Sequence, residues 1–270
     1  MLVAPGQKLT PRRFDTKERG APLAGLNTRL SPQTIGENGH ALRLDNWICR
    51  LDGLHVRKGW TKHGQATGPV KSLLTYKSSV FGRADDNWTG AIIKNEGGMH
   101  LVASGDSGEH DPIWFNGRAW QSAPITGVDR RKLRGATRHG ERLFFHEAGS
   151  LRLWHLGIDA IGGDASLIPL DMLFAKGGTI VAIGSTTVDG AVNGNDQLVI
   201  VTDKGEVAVY SGDNPQDPAK WGLAGVFETS KPVGSRCLFR LGTSLGLLTD
   251  KGLLSVAAML AVKASERDAA

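Results

Sequence analysis

The residues best suited to chemistry are scattered along the chain. Eight histidines stand at His40, His55, His63, His100, His110, His139, His146 and His155. None pair at the spacing that puts two imidazoles on one helix face, and no His-Glu-x-x-His is present. There is no Gly-x-Ser-x-Gly elbow, no phosphate-binding P-loop and no Gly-x-Gly-x-x-Gly after a strand. Acidic clusters occur at Asp85-Asp86-Asn87 and from Ser104 to Asp111. The second begins Ser-x-Asp-x-Gly, like the turn box of sialidase-type propellers. It departs where that box carries an aromatic, because Asp111 stands there and Trp114 comes too late. A glycosidase needs two carboxylates flanking one bond, and no such pair is marked. Asp189, Asp196, Asp213 and Asp217 lie in Gly/Asn/Pro-rich stretches without the Asp-x-Asn-x-Asp spacing of a calcium loop. The expectation is a protein with no catalytic residue, no metal and no cofactor.

Charge points to contacts. The formal net charge is +5 over 270 residues. One basic group runs through Lys8, Arg12, Arg13, Lys17, Arg19, Arg29, Arg43, Arg50, Arg57, Lys58 and Lys62, and a second through Arg130, Arg131, Lys132, Arg134 and Arg138. Such groups suit phosphates, an acidic protein face or plain hydration. Two cysteines, Cys49 and Cys237, make neither a disulfide framework nor a zinc site. Both are expected buried and reduced. No apolar run is long enough to span a membrane, and the first twenty residues lack the apolar core of a signal peptide. Synthesis in a cytoplasm is expected.

The elements that would position these groups come from a repeat. An apolar strand, an acidic residue, a glycine and a second apolar strand recur five times. The copies are Trp47–Val56, Ala91–Val102, Arg142–Trp154, Gln197–Tyr210 and Leu245–Val256. The turn positions are Asp52 with Gly53, Glu96 with Gly97, Glu147 with Gly149, Asp203 with Gly205, and Asp250 with Gly252. The glycines fall 44 to 56 residues apart, the period of propeller blades. Each copy reads as a β-hairpin whose acid bonds the turn backbone and whose glycine takes a left-handed conformation. His146 falls at one such turn, where the other copies have no histidine, so turn chemistry explains that site better than catalysis.

Further apolar segments precede the later copies, and Ile113–Trp120 and Lys220–Phe227 supply outer strands. The fold expected is all-β: a small β-propeller of about five blades, with an extended N-terminal arm and a short C-terminal helix. A β-sandwich of similar strands is the competing architecture. The arm is residues 1–46, where Pro5, Pro11, Pro22 and Pro32 forbid a central strand. The propeller is 47–256. Residues 257–270 hold the helix, rich in Ala, and a tail. Ser166 to Phe174 reads as a short helix or a connecting loop.

Two stretches resemble a known family. Ala21-Pro22-Leu23-Ala24-Gly25-Leu26-Asn27 through Leu44-Asp45-Asn46-Trp47, then Gly53-Leu54-His55-Val56-Arg57-Lys58-Gly59-Trp60, resembles the opening of podovirus-type tail nozzle or tail hub proteins, the tail tubular protein B-like propellers. Val201 to Pro215, with Trp221 and the Leu247–Leu253 turn, looks like their blades. The resemblance implies a non-enzymatic structural part of a virion tail. Its partners would be further copies in a ring, usually a hexamer, the portal and adaptor proteins, and tail fibres or a needle. Genomic DNA would pass during ejection without tight binding. Arg12, Arg13, Arg57, Lys58, Arg130 and Arg131 would then lie at subunit contacts. Family members are generally longer than this chain. Two other readings stay open: a carbohydrate-binding or glycoside-hydrolysing propeller, and a cytoplasmic protein-interaction propeller.

Overall fold

The computed structural model describes residues 24, 26, 40–41, 43–50, 53–57, 59, 61–62, 64–187, 196–242 and 244–261. Most of the expected arm lies outside these residues. So do Arg12, Arg13, Asp52, Lys58, most of the 188–196 loop and the tail after 261. Internal contacts divide the chain into two units, Met1–Gln65 and Ala66–Ala270.

In the first unit, β1 (Trp47–Arg50) and β2 (Gly53–Val56) form an antiparallel hairpin in the register Trp47↔Val56 to Arg50↔Gly53. The first copy of the repeat is therefore a hairpin, as expected. The Arg57 N–H donates to the Asn46 carbonyl at 2.6 Å and closes its open end.

The second unit is built from sheets that follow one another along the chain. The first is the hairpin β3 (Ser72–Tyr76) with β4 (Ser79–Arg83). The second is β5 (Trp88–Asn95), β6 (Gly98–Gly105), β7 (Ile113–Phe115) and β8 (Trp120–Ser122), in that order. After β9 (Ile125–Thr126) comes the third, made of β10 (Leu133–His139), β11 (Arg142–Glu147), β12 (Arg152–His155) and β14 (Ser166–Pro169). Between its last two strands β13 (Gly163–Asp164) pairs parallel with β9. The fourth is β15 (Ile180–Thr187), β16 (Asp196–Thr202), β17 (Glu206–Gly212) and β18 (Trp221–Glu228). The fifth is β19 (Leu238–Leu241), β20 (Ser244–Thr249) and β21 (Gly252–Ser255). A short helix, α1 (256–261), follows at once. Each of these five sheets is antiparallel and ordered by sequence, which is the β-propeller arrangement.

The reason lies in two-sided strands. Successive side chains of a strand point to opposite faces, so a strand packed between neighbours must be apolar at every position. In β16, Leu198 and Ile200 enter the core shared with the third sheet, while Val199 and Val201 enter the core shared with the fifth. In β11, Leu143 and Phe145 face the second sheet, and Phe144 faces the fourth. Four apolar cores thus alternate with five sheets. Leu74, Tyr76, Trp88 and Phe115 fill the first of them. Val256, fully buried, carries α1 onto the last, with Met259 and Leu260 beside it. A lone sheet of this kind would leave one apolar face wet, and stacking removes that cost.

The far ends of the series meet at one point. The Arg236 guanidinium, just before β19, donates to the Lys71 carbonyl at 3.1 Å and the Ser72 hydroxyl at 2.9 Å. Ser235 donates to the Asp106 carboxylate at 2.8 Å. The loop leading into the fifth sheet is thereby tied to the first and second. Arg236 is exposed, so Arg236→Ala should cost only about 1 kcal/mol in chemical denaturation. A loss of several kcal/mol would mean that closure depends on this contact.

One expectation needs correction. Ser166 to Phe174 is neither helix nor plain loop: Ser166–Pro169 is the outer strand of the third sheet, paired Arg152↔Pro169 to His155↔Ser166. The repeat does not mark one radial position. In the second sheet its hairpin is β5–β6, the first two strands, whereas in the third, fourth and fifth sheets it is strands two and three. The motif encodes a tight turn between apolar strands, and such a turn serves either place.

Candidate functional site

Asp52 lies outside the described residues; at the third and fourth copies the acid bonds a group outside the turn. Glu147 accepts the Trp154 indole N–H at 3.0 Å. Asp203 accepts the Thr179 N–H at 2.7 Å and so holds the entry to β15. At the second copy Asn95, not Glu96, bonds the turn, accepting the Gly97 N–H at 2.9 Å. The left-handed residue there is Gly98, with φ +113°, and not Gly97. Gly149, Gly205 and Gly252 do have positive φ.

The second basic group divides three ways. Arg130 and Arg131 form a single 3-10 turn and share Asp111, at 3.0 and 3.8 Å. They brace the second sheet against the third. Arg134 is buried and is used up on the carbonyls of Asp106, Arg131 and Leu133. Arg138 lines a central cavity. Of the expected contact residues in the first unit, Arg57 is exposed.

The acidic clusters are structural. Asp86 is buried, which alone would raise its pKa; the Ser107 hydroxyl and N–H and the Asn87 N–H outweigh that and lower it. Burial likewise opposes Asp85, but the paired bonds from Arg83, at 3.0 and 2.6 Å, bring it down to about 2. Arg83 also covers the Trp88 ring, 4.6 Å from its centroid. The Ser104–Asp111 box serves packing in the same way: Ser104 accepts the Ala136 N–H at 3.0 Å across sheets.

Four histidines lie inside. Burial lowers the pKa of His100, His139 and His155, and it pushes His146 down to about 3 with help from Arg134. His139 bridges Ser185 Oγ at 2.9 Å and the Gly212 carbonyl at 2.5 Å. A carbonyl only accepts, so Nε2 carries the proton and Nδ1 accepts from Ser185. The imidazole ties β10 to β15 and β17. Cys237 is buried, with its thiol pushed up to about 11, while Cys49 is only half-buried, against expectation. Among the described residues no group of three acidic, His or Cys side chains could hold a metal. No helix among them is long and apolar enough to cross a membrane.

Two features remain as candidate sites. The first is the cavity where inner strands converge, with a volume of about 470 Å³. Its lining includes Thr89 of β5, Thr137 and Arg138 of β10, Ser185 of β15, Asp196 of β16 and Arg240 of β19. Asp196 is the one carboxylate among the described lining residues, which therefore do not present the paired acids of a glycosidase. The second feature is apolar. The outer face of the first sheet presents Leu73, 69% exposed, with Val80 and Val70. The outer face of the fifth presents Phe239, Leu241, Leu248 and Leu253, each at least 40% exposed.

Sequence reasoning names Arg138 and Asp196 but misses Thr89, Ser185, Arg240 and both apolar faces. A signal for the last of these exists. Leu245-Gly246-Leu247-Leu248 is apolar on both faces, the pattern of a strand with a partner on each side.

No family model matches the chain, and no curated protein matches it. Among solved structures it is similar to BBS1N in complex with ARL6DN, in crystals soaked with mercury and with lead. The identities are 18% and 17%, the TM-scores 0.41 and 0.39, and 63% and 62% of this chain is covered. The match spans 46% of the BBS1N chain in both cases. The propeller arrangement rests on the sheet order and the four inter-sheet cores, not on this likeness.

Proposed function

We propose that the 66–270 unit is a non-catalytic protein-interaction propeller, and that further copies of this chain are among its partners. The apolar outer faces carry the reading. Contiguous exposed apolar surface of this kind marks protein contacts in soluble proteins, and here it sits on the two sheets that end the series. The more specific reading is a ring component of a phage tail, below the portal and adaptor. It is supported by the resemblance of residues 21–60 and 201–253 to tail nozzle proteins.

Light scattering on the full chain over a range of concentrations tests this. The expected result is a mass that rises to a defined multiple of the protomer, and a Phe239→Asp, Leu248→Asp double variant that stays monomeric. A chain that is monomeric throughout, with the double variant behaving identically, removes self-assembly and the tail reading with it.

A further inference from the structure

We propose that the central cavity is a binding site for a small oxyanion, a carboxylate or phosphate group on a metabolite-sized ligand. The proposal is independent of self-assembly, because none of the apolar outer-face residues lines this cavity. Its volume, about 470 Å³, is within the range of small-molecule sites.

The lining is polar, and basic groups outnumber acidic ones among its described residues. Arg138 and Arg240 reach the cavity from the third and fifth sheets. Arg138 donates from Nε to the Gly140 carbonyl at 2.9 Å. That bond steadies the guanidinium and leaves both terminal nitrogens for a ligand. The Arg240 guanidinium makes no hydrogen bond or ion pair with any described residue, and neither does the Thr89 hydroxyl. Asp196 subtracts one charge, so among the described lining residues two guanidinium groups stand against one carboxylate. Asp196 also has an interaction of its own, and its field falls on His139. A planar guanidinium presents paired donors that match the two oxygens of a carboxylate or phosphate. Two exposed arginines at one open cavity, both with donors to spare, suit an anion better than an apolar or cationic ligand.

Isothermal titration of the full chain at roughly 20 mM salt, where charge screening is weak, is the test. One series uses glutarate and the other inorganic phosphate, which separates the two sources of the oxyanion. The expected result is saturable one-to-one binding of at least one probe. Arg138→Gln and Arg240→Gln should each weaken it about tenfold, the order expected for losing one charged hydrogen-bonding partner. Arg118→Gln, in the exposed turn between β7 and β8, should bind as the parent does. Unchanged thermal midpoints would show that the variants are folded. The proposal is overturned if neither probe saturates, or if both cavity variants bind as tightly as the parent.

Discussion

Lowering the pH from 7 toward 4 is expected to strip several kcal/mol of stability from the propeller unit, with His146 the largest single contributor. This side chain is buried on β11, beside Arg134, and its Nδ1 has no hydrogen-bond partner. Its pKa in the folded chain is about 3, against 6.5 when unfolded. Between those values the unfolded chain takes up a proton that the folded chain refuses. Stability is therefore full above about pH 6.5 and falls as the pH drops toward 3. Each pH step of one between the two values removes about 1.4 kcal/mol, so the loss from this group alone is on the order of 4 kcal/mol. His100, His139 and His155 are lowered by burial as well and add to the same slope. Asp85, held down to about 2 by Arg83, adds a smaller loss at the acid end, below its unfolded value of 3.8, because it is part-exposed. Urea unfolding across this range measures the slope. His146→Leu removes one titrating group without orphaning a partner, so the slope should flatten by about one proton. An unchanged slope in that variant would refute the assignment.

These histidines show what the sequence can and cannot disclose. Their number is obvious, and their lack of a metal spacing is enough to set ligation aside. Their burial is not visible, because it follows from the neighbouring sheet. His139 lies at the end of β10, yet its partners Ser185 and Gly212 are 46 and 73 residues away. The hairpins, by contrast, are legible in full, because a tight turn between apolar strands is written within about a dozen contiguous residues. The two-sided apolar strands likewise announce sheets packed on both faces. What the repeat does not report is radial position, and so β5–β6 takes the inner place in its sheet.

The cavity is illegible for the same reason as the buried histidines. In the sequence Arg138 stands out only as one member of a basic group, and Arg240 as an isolated charge in an apolar strand. They line one space only because the third and fifth sheets turn their inner strands toward it. The acids at the turns illustrate the opposite case. Their positions follow from the motif, but local turn chemistry assigns them the wrong partners, and the fold spends Glu147 on Trp154 and Asp203 on Thr179. Local rules identify a turn; only the packed neighbour decides what its side chain bonds.

Gly212→Ala should be the most damaging single methyl in the propeller. Gly212 ends β17 opposite Trp221, with φ +108°, a conformation that side chains rarely adopt. A Cβ there would fall 1.8 Å from the Lys220 carbonyl oxygen, which is backbone and cannot swing away. Relief requires parting β17 from β18. It also moves the Gly212 carbonyl, which accepts the His139 N–H and fixes that imidazole against Ser185. Backbone strain and forced repacking each cost about 1–3 kcal/mol, so the sum is about 2–6 kcal/mol. For a unit of this size that lowers the thermal midpoint by roughly 4–24 °C. Gly149→Ala is the informative control. Its φ of +72° is also left-handed, but nothing lies within 4 Å of the added methyl. Only the backbone cost remains, about 1–2 kcal/mol, and the midpoint should fall by no more than about 8 °C. Equal losses in the two variants would show that the close approach of Lys220 to β17 is not what demands a glycine at 212. A larger loss at 212 identifies that contact as a fixed point of the fourth sheet, shared by the strand pairing and by the histidine that joins it to the third.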